Sequence, residues 1–169
     1  MSDLRTASLA DLDLELATTR RVLERIPEHQ LDWRPHEKSM TLGGLATHIA
    51  DLLRWWRVTL LSDGLDLAVR SSAPPKPTTT DEILELWGQN AEALRPILAG
   101  LTDDALRGDW SIRMGDTVLS TDPRYLVMRR WGMSHIIHHR GQLSVYLRLL
   151  DVPVPSIYGP TADERPSFS

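Results

Sequence analysis

Along four stretches of this chain apolar residues, mostly leucine, recur every three or four positions, and proline or glycine punctuates the gaps between them. That period gathers the apolar side chains on one stripe of an α-helix but scatters them over both faces of a strand. Composition agrees, since 27 leucines against a single phenylalanine favour helix-on-helix packing over a sheet core. With 169 residues, 41% hydrophobic and 25% charged, the chain has the size and balance of one folded domain, expected to span 1–169. The expected fold is an all-α four-helix bundle with long connections.

The first helix is expected from about Ser8 to Ile26, with Leu9, Leu12, Leu16, Leu23 and Ile26 in phase, and Pro27 stops it. Asp32–Ser39 reads as a polar loop. Thr41 is an N-cap for a second helix reaching Leu61, which Ser62-Asp63-Gly64 breaks. Pro74, Pro75 and Pro77 keep the next connection out of a helix. Thr79 and Glu82 then form a capping box for a third helix over Thr80–Ala99, which Pro96 should kink or shorten. A Gly115-Asp116 turn between Trp110 and Leu119 predicts a short hairpin before the last helix. Asp122 as N-cap and Pro123 at the first helical position open that helix, which should run to Leu150, ahead of Pro153 and Pro155. The remaining tail reads as irregular.

Charge and residue content exclude several functions. A net charge of −4 removes the electrostatic basis for binding nucleic acid. The absence of cysteine excludes disulfides, thiolate metal ligands and a cysteine nucleophile. No apolar run approaches the ~18 residues that would cross a bilayer. The opening Met1-Ser-Asp-Leu-Arg-Thr lacks the basic-then-apolar layout of a secretory signal. A cytoplasmic protein without nucleic-acid or membrane partners is therefore expected.

Three of the six histidines, His135, His138 and His139, fall within five residues. Helical positions four apart differ by about 40° around the axis and about 6 Å along it, so His135 and His139 can aim two imidazoles at one point. His135 and His138, about 60° apart in the other sense, are the competing pair. The apolar face defined by Met128, Trp131, Leu143, Tyr146 and Leu150 centres between His135 and His139 and leaves His138 at its edge. Such a pair is a common way for a helix to hold zinc or another borderline divalent ion. Hydrogen-bonded core histidines are the competing explanation. A third ligand would come from a facing helix, where His48 sits on the same side as Leu45, Leu52 and Trp55. Asp51, one turn on, could orient His48, add a ligand or stay solvated. His29 and His36 lie in a polar loop and are expected at the surface.

The segment Asp32-Trp33-Arg34-Pro35 through Ser39, Leu42 and His48 resembles the start of the second helix of the DinB/YfiT-like family. His135-Ile-Ile-His-His139-Arg140-Gly141-Gln142-Leu143, followed by Tyr146-Leu147-Arg148 and Pro155-Ser-Ile-Tyr158-Gly159-Pro160, is similar to that family's C-terminal signature. The resemblance implies a four-helix bundle whose histidine triad holds a divalent metal, typically nickel or zinc. That triad falls on His48, His135 and His139. Some members are thiol-dependent S-transferases or isomerases that use bacillithiol, mycothiol or glutathione.

Three neutral nitrogen ligands would leave a metal its full charge and an open position, as catalytic sites do. With no cysteine in the chain, a thiolate would arrive as a low-molecular-weight cosubstrate. A thiol-dependent S-transferase or isomerase acting on a small molecule is the first expectation. A metal-dependent hydrolase with Asp51 as general base is the second, and a non-enzymatic stress-response ligand-binding bundle is the third. Gln142, about 20° from His135, could contact a metal-bound group or make a helix-packing hydrogen bond. Arg140 faces away from the histidines, toward acidic residues or a subunit contact. Tyr158 could cover the mouth of the site or pack on the bundle.

Trp55, Trp56, Trp87 and Trp131 read as core or interface, whereas Trp33 and Trp110 would line an open end of a pocket. The adjacent Trp55 and Trp56 point about 100° apart, too far for one core to bury both readily, which suggests a homodimer.

Overall fold

The computed structural model describes residues 3–69 and 75–165. The reading of Pro74 as helix-breaking, and that of the last four residues as irregular tail, lie outside them. The chain is mostly helical, with a small three-stranded sheet, so it is not purely all-α.

The expected first helix is two helices, α1 (Leu4–Leu9) and α2 (Leu12–Leu23). Asp11, at φ −100° and ψ 0°, leaves helical geometry between them. Aspartate is a poor interior helix residue because its short side chain competes for backbone groups. α2 ends before Ile26 because its last turn tightens. Arg25 and Ile26 donate to the carbonyls three residues back, at 3.2 Å each, ahead of Pro27.

Helix α3 (Leu42–Leu61) has the predicted bounds, and its Thr41 cap accepts from the Gly44 amide at 3.0 Å. Helix α4 (Thr80–Ala99) also matches, with both halves of the Thr79–Glu82 capping box made. Pro96 does not shorten it. The carbonyl it deprives of a partner, that of Glu92, belongs to an exposed residue near the helix end, where water serves instead.

The predicted hairpin is present and longer than expected. After β1 (Gly64–Asp66) and a short α5 (Asp103–Arg107), strands β2 (Asp109–Met114) and β3 (Thr117–Pro123) pair antiparallel across Gly115-Asp116. Gly115 takes φ +58°, the left-handed conformation that a two-residue hairpin turn needs at this position. β1 joins β2 in parallel, with the Asp66 carboxylate accepting from the Gly115 amide at 2.9 Å.

Pairing of Asp109 with Pro123 keeps Pro123 extended, so it becomes the N-cap of α6 (Arg124–Val127) in place of Asp122. Asp122 instead accepts from Ser120 at 3.0 Å and Arg130 at 3.3 Å. The expected continuous last helix is interrupted. A π-helical segment over Met128–Met133 separates α6 from α7 (Ser134–Leu149). In its wide turn Gly132 lies against the Trp56 indole, where a Cβ would stand 2.1 Å from Nε1. Only glycine fits.

α3 packs against both α4 and α7, and α2 contacts the same two helices, enclosing Leu23, Leu45, Ile49, Leu53, Leu94 and Leu143. One charged cluster crosses this interior. Arg140, 1% exposed, sits 2.6 Å from Glu15 Oε2, in ion-pair contact, and donates to Thr19 Oγ1 at 3.1 Å. Its second nitrogen donates to the Tyr158 hydroxyl at 2.6 Å, and that hydroxyl donates to Glu15 Oε1 at 2.7 Å. Arg140 thus pairs with an acid, as expected, and ties the tail to α2 and α7.

Replacing one partner of a buried ion pair leaves the other charge uncompensated, whereas an exposed pair is screened by water. Arg140→Ala should therefore cost about 3–5 kcal/mol. Arg20→Ala, which breaks the exposed Arg20–Glu24 pair, should cost about 1 kcal/mol or less. Urea unfolding with equal m-values checks both; equal losses would remove the special place of Arg140.

Candidate metal centre

His48 lies in the middle of α3, and His135 and His139 one turn apart at the start of α7. The π-helical segment ends at Met133, so the two α7 histidines keep regular i, i+4 geometry. Packing of α3 on α7 brings all three together. One ring nitrogen from each lies within 4.8 Å of the others, and the His48 and His135 Nε2 atoms are 3.4 Å apart. Two nitrogens each about 2.1 Å from a tetrahedral metal would be separated by about 3.4 Å, so this spacing fits a divalent ion between them. Imidazole nitrogens are also the donors that zinc, nickel and similar ions prefer. His138, the competing residue, is exposed and outside the cluster. His29 and His36 are exposed too, as expected.

A neighbouring group sets the orientation of one ring. Gln142 Oε1 lies 2.7 Å from His139 Nδ1, so an Nδ1–H donating to the amide oxygen leaves Nε2 free to ligate. Gln142 therefore positions a histidine. Asp51 is placed differently from either expected role. Both its oxygens are held by Arg54, at 2.8 Å each, and it is not part of the three-histidine cluster. A carboxylate engaged in this way is a poor general base, which weakens the hydrolytic reading. Tyr158 is bound to Arg140 and Glu15 and does not cover the site.

All three imidazoles are half-buried, and burial is the main cause that holds each below its ordinary value. His48 is lowered to about 4, first by burial and then by the neighbouring His139 and His135. Asp51 opposes this shift more weakly. At neutral pH the cluster is therefore uncharged, with lone pairs available.

A cavity of about 510 Å³ opens from His48 and His135. Trp55, Trp56, Trp110 and Trp131 line it, with Leu119 of the hairpin at its side. Trp110 was expected there. Trp131, read as core or interface and projected onto the inward apolar face, is 57% exposed, because the π-helical turn breaks the even 100° phase of that projection. Trp33 packs edge-on against Tyr146, at 5.6 Å, rather than lining this cavity. Trp56 is buried and Trp55 half-buried, so one chain accommodates the pair that suggested a homodimer. The hairpin's contribution was missed; adjacent exposed Val118 and Leu119 on a short strand were the signal. On its other side His48 borders a second, polar cavity of about 600 Å³, lined by residues that include His29, Thr47, Asp51 and Lys76.

A family model described as DinB family matches residues 1–166. Among curated proteins, the uncharacterised protein YrdA of Bacillus subtilis (strain 168) is 25% identical over 163 residues, covering 95% of this chain and 91% of YrdA. Among solved structures, a DinB-like protein from Bacillus cereus ATCC 10987 superposes with a TM-score of 0.70 at 22% identity, over 89% of this chain and 95% of its own. The DinB-like protein YjoA from Bacillus subtilis gives a TM-score of 0.67 at 18% identity, over 95% and 99% of the two chains.

Protons and metal compete for the same nitrogens. Because the folded values lie below the unfolded value of about 6.5, the unfolded chain takes up protons first on acidification. The stability contributed by the cluster is present above pH of about 6.5 and is lost as pH falls toward the lowered values. Zinc affinity, measured by chelator competition, should fall from pH 7.5 to 5.5 in the wild type and in His138→Ala. It should be almost lost in His139→Ala and reduced about 10–100-fold in Gln142→Ala. A site emptied by His138→Ala but kept by His139→Ala would overturn the assignment.

Proposed function

Because the chain belongs to the DinB family, we propose that His48, His135 and His139 hold a divalent ion, nickel or zinc, at one end of a scaffold read as a four-helix bundle, and that the protein is a thiol-dependent S-transferase or isomerase for a small molecule. The observation that carries this reading is the convergence of three uncharged imidazoles, with a 3.4 Å Nε2 pair and no carboxylate among them. Such an ion supplies Lewis acidity and lowers the pKa of a thiol or water that reaches it.

The chain's own residues do the rest. Gln142 fixes the orientation of the His139 ring, and half-burial of the histidines leaves an approach from solvent. Asp51 is paired with Arg54, and among the described residues no carboxylate joins the three histidines as a ligand, which leaves an ion's charge largely to an incoming anion such as a thiolate. The two cavities that meet at His48 suit a polar cosubstrate on one side and an apolar acceptor on the other. In the transferase reaction a sulfur–carbon bond forms, the thiol proton passes to water, and the leaving group departs with its electron pair.

The test is turnover of a chlorodinitrobenzene by metal-loaded protein with bacillithiol, mycothiol or glutathione. Rates should depend on thiol and metal together and fall by about 100-fold or more in His48→Ala. Metal-loaded protein that consumes none of these thiols with a range of electrophiles would contradict the reading.

A further inference from the structure

We propose that the larger ligand of this site is an uncharged, largely aromatic or aliphatic molecule, bound in the tryptophan-lined cavity with its reactive group turned toward His48 and His135. Four of the chain's six tryptophans line that cavity, and among the described residues no lysine, arginine, aspartate or glutamate does. Its polar side chains are Thr59, Ser120 and the two histidines, together with the indole N–H groups. A phosphate, carboxylate or sugar placed there would give up water without recovering the hydrogen bonds it lost, a cost of several kcal/mol for a charge. An apolar body gains roughly 25 cal/mol for each Å² removed from water, and flat rings stack well on indoles.

Volume bounds the size of the ligand. About 510 Å³ falls in the range of pockets that enclose small molecules, so one or two fused rings fit and a polymer does not. Its walls come from α3, the β1 region with Leu65 and Leu67, the hairpin, and the last helical stretch from Val127 to His135. Leu119 and Trp131, each more than half exposed, have apolar surface still to bury. A ligand between them would cover it.

The direction of the reactive group rests on reading the triad as a metal centre, whereas binding of the apolar body does not. The experiment therefore measures two probes against two forms of the protein. Quenching of tryptophan fluorescence follows 2-methylnaphthalene and 2-naphthalenethiol binding to metal-free and zinc-loaded full-length protein. The hydrocarbon should bind both forms alike, and the thiol should bind the zinc-loaded form at least tenfold more tightly. Trp131→Ala and Leu119→Asp alter exposed side chains and should fold; each should weaken the hydrocarbon about tenfold or more while leaving zinc affinity unchanged. Normal zinc binding with no binding of the hydrocarbon, or binding indifferent to both substitutions, would overturn the cavity proposal and leave the metal centre standing. A protein that binds the hydrocarbon but cannot be loaded with zinc would overturn the metal reading and the ligand's direction, and keep the apolar site. Equal affinity of the two probes for the zinc-loaded form would overturn the direction alone.

Discussion

The distance between α3 and α7 governs the site, and the Trp56–Gly132 contact pins it at one end. The indole lies where any side chain at position 132 would stand, so the two backbones approach as closely as that ring allows. About two helical turns back along α3 from Trp56, and about one turn on from Gly132, His48 and His135 meet with Nε2 atoms 3.4 Å apart. A shift of about 1 Å in the helix spacing would move these nitrogens out of reach of one shared ion, since zinc–nitrogen bonds vary little around 2.0–2.1 Å. The π-helical segment serves both ends of this arrangement. Gly132 within it lies against Trp56, and Trp131 within it is exposed at the cavity. π-helical turns are rare and gather at functional sites, which fits its place here.

The polar groups divide into two systems on opposite sides of α7. Away from the site, Arg140 and Glu15 neutralise each other and enlist Tyr158, so charge inside the helical core remains paired. At the site, burial keeps three bases without protons, and the nearest carboxylate, Asp51, is held by Arg54. One system gives a fixed scaffold. The other gives a cluster of three neutral donors, which would leave a bound cation most of its charge for whatever binds next.

Much of this was legible in the sequence because it rests on local rules. Thr41, Thr79 and Glu82 announce helix starts through short-range hydrogen bonds, and α3 and α4 begin and end where those residues say. The i, i+4 spacing of His135 and His139 is likewise a property of one helix. What escaped the sequence depends on distant partners. β1 is three residues without alternation and exists because β2 offers it an edge. Pro123 stays extended because Asp109 pairs with it. The π-helical turn packs against an indole on another helix, so a projection at constant phase put Trp131 on the inward face. Asp51 looked available because Arg54, three residues on, carries no mark in sequence that it will turn back. Tyr158 was drawn to the site by proximity in sequence to α7, while Glu15, more than a hundred residues away, holds it elsewhere.

The central claim is that three imidazoles from two helices share one ion. X-ray absorption at the zinc edge of the metal-loaded protein at neutral pH tests it most directly, because imidazole rings scatter with a recognisable outer-shell pattern. The account predicts three imidazole nitrogens at about 2.0–2.1 Å with at least one further light ligand and no sulfur. A first shell of carboxylate and water oxygens, with one imidazole or none, would contradict it.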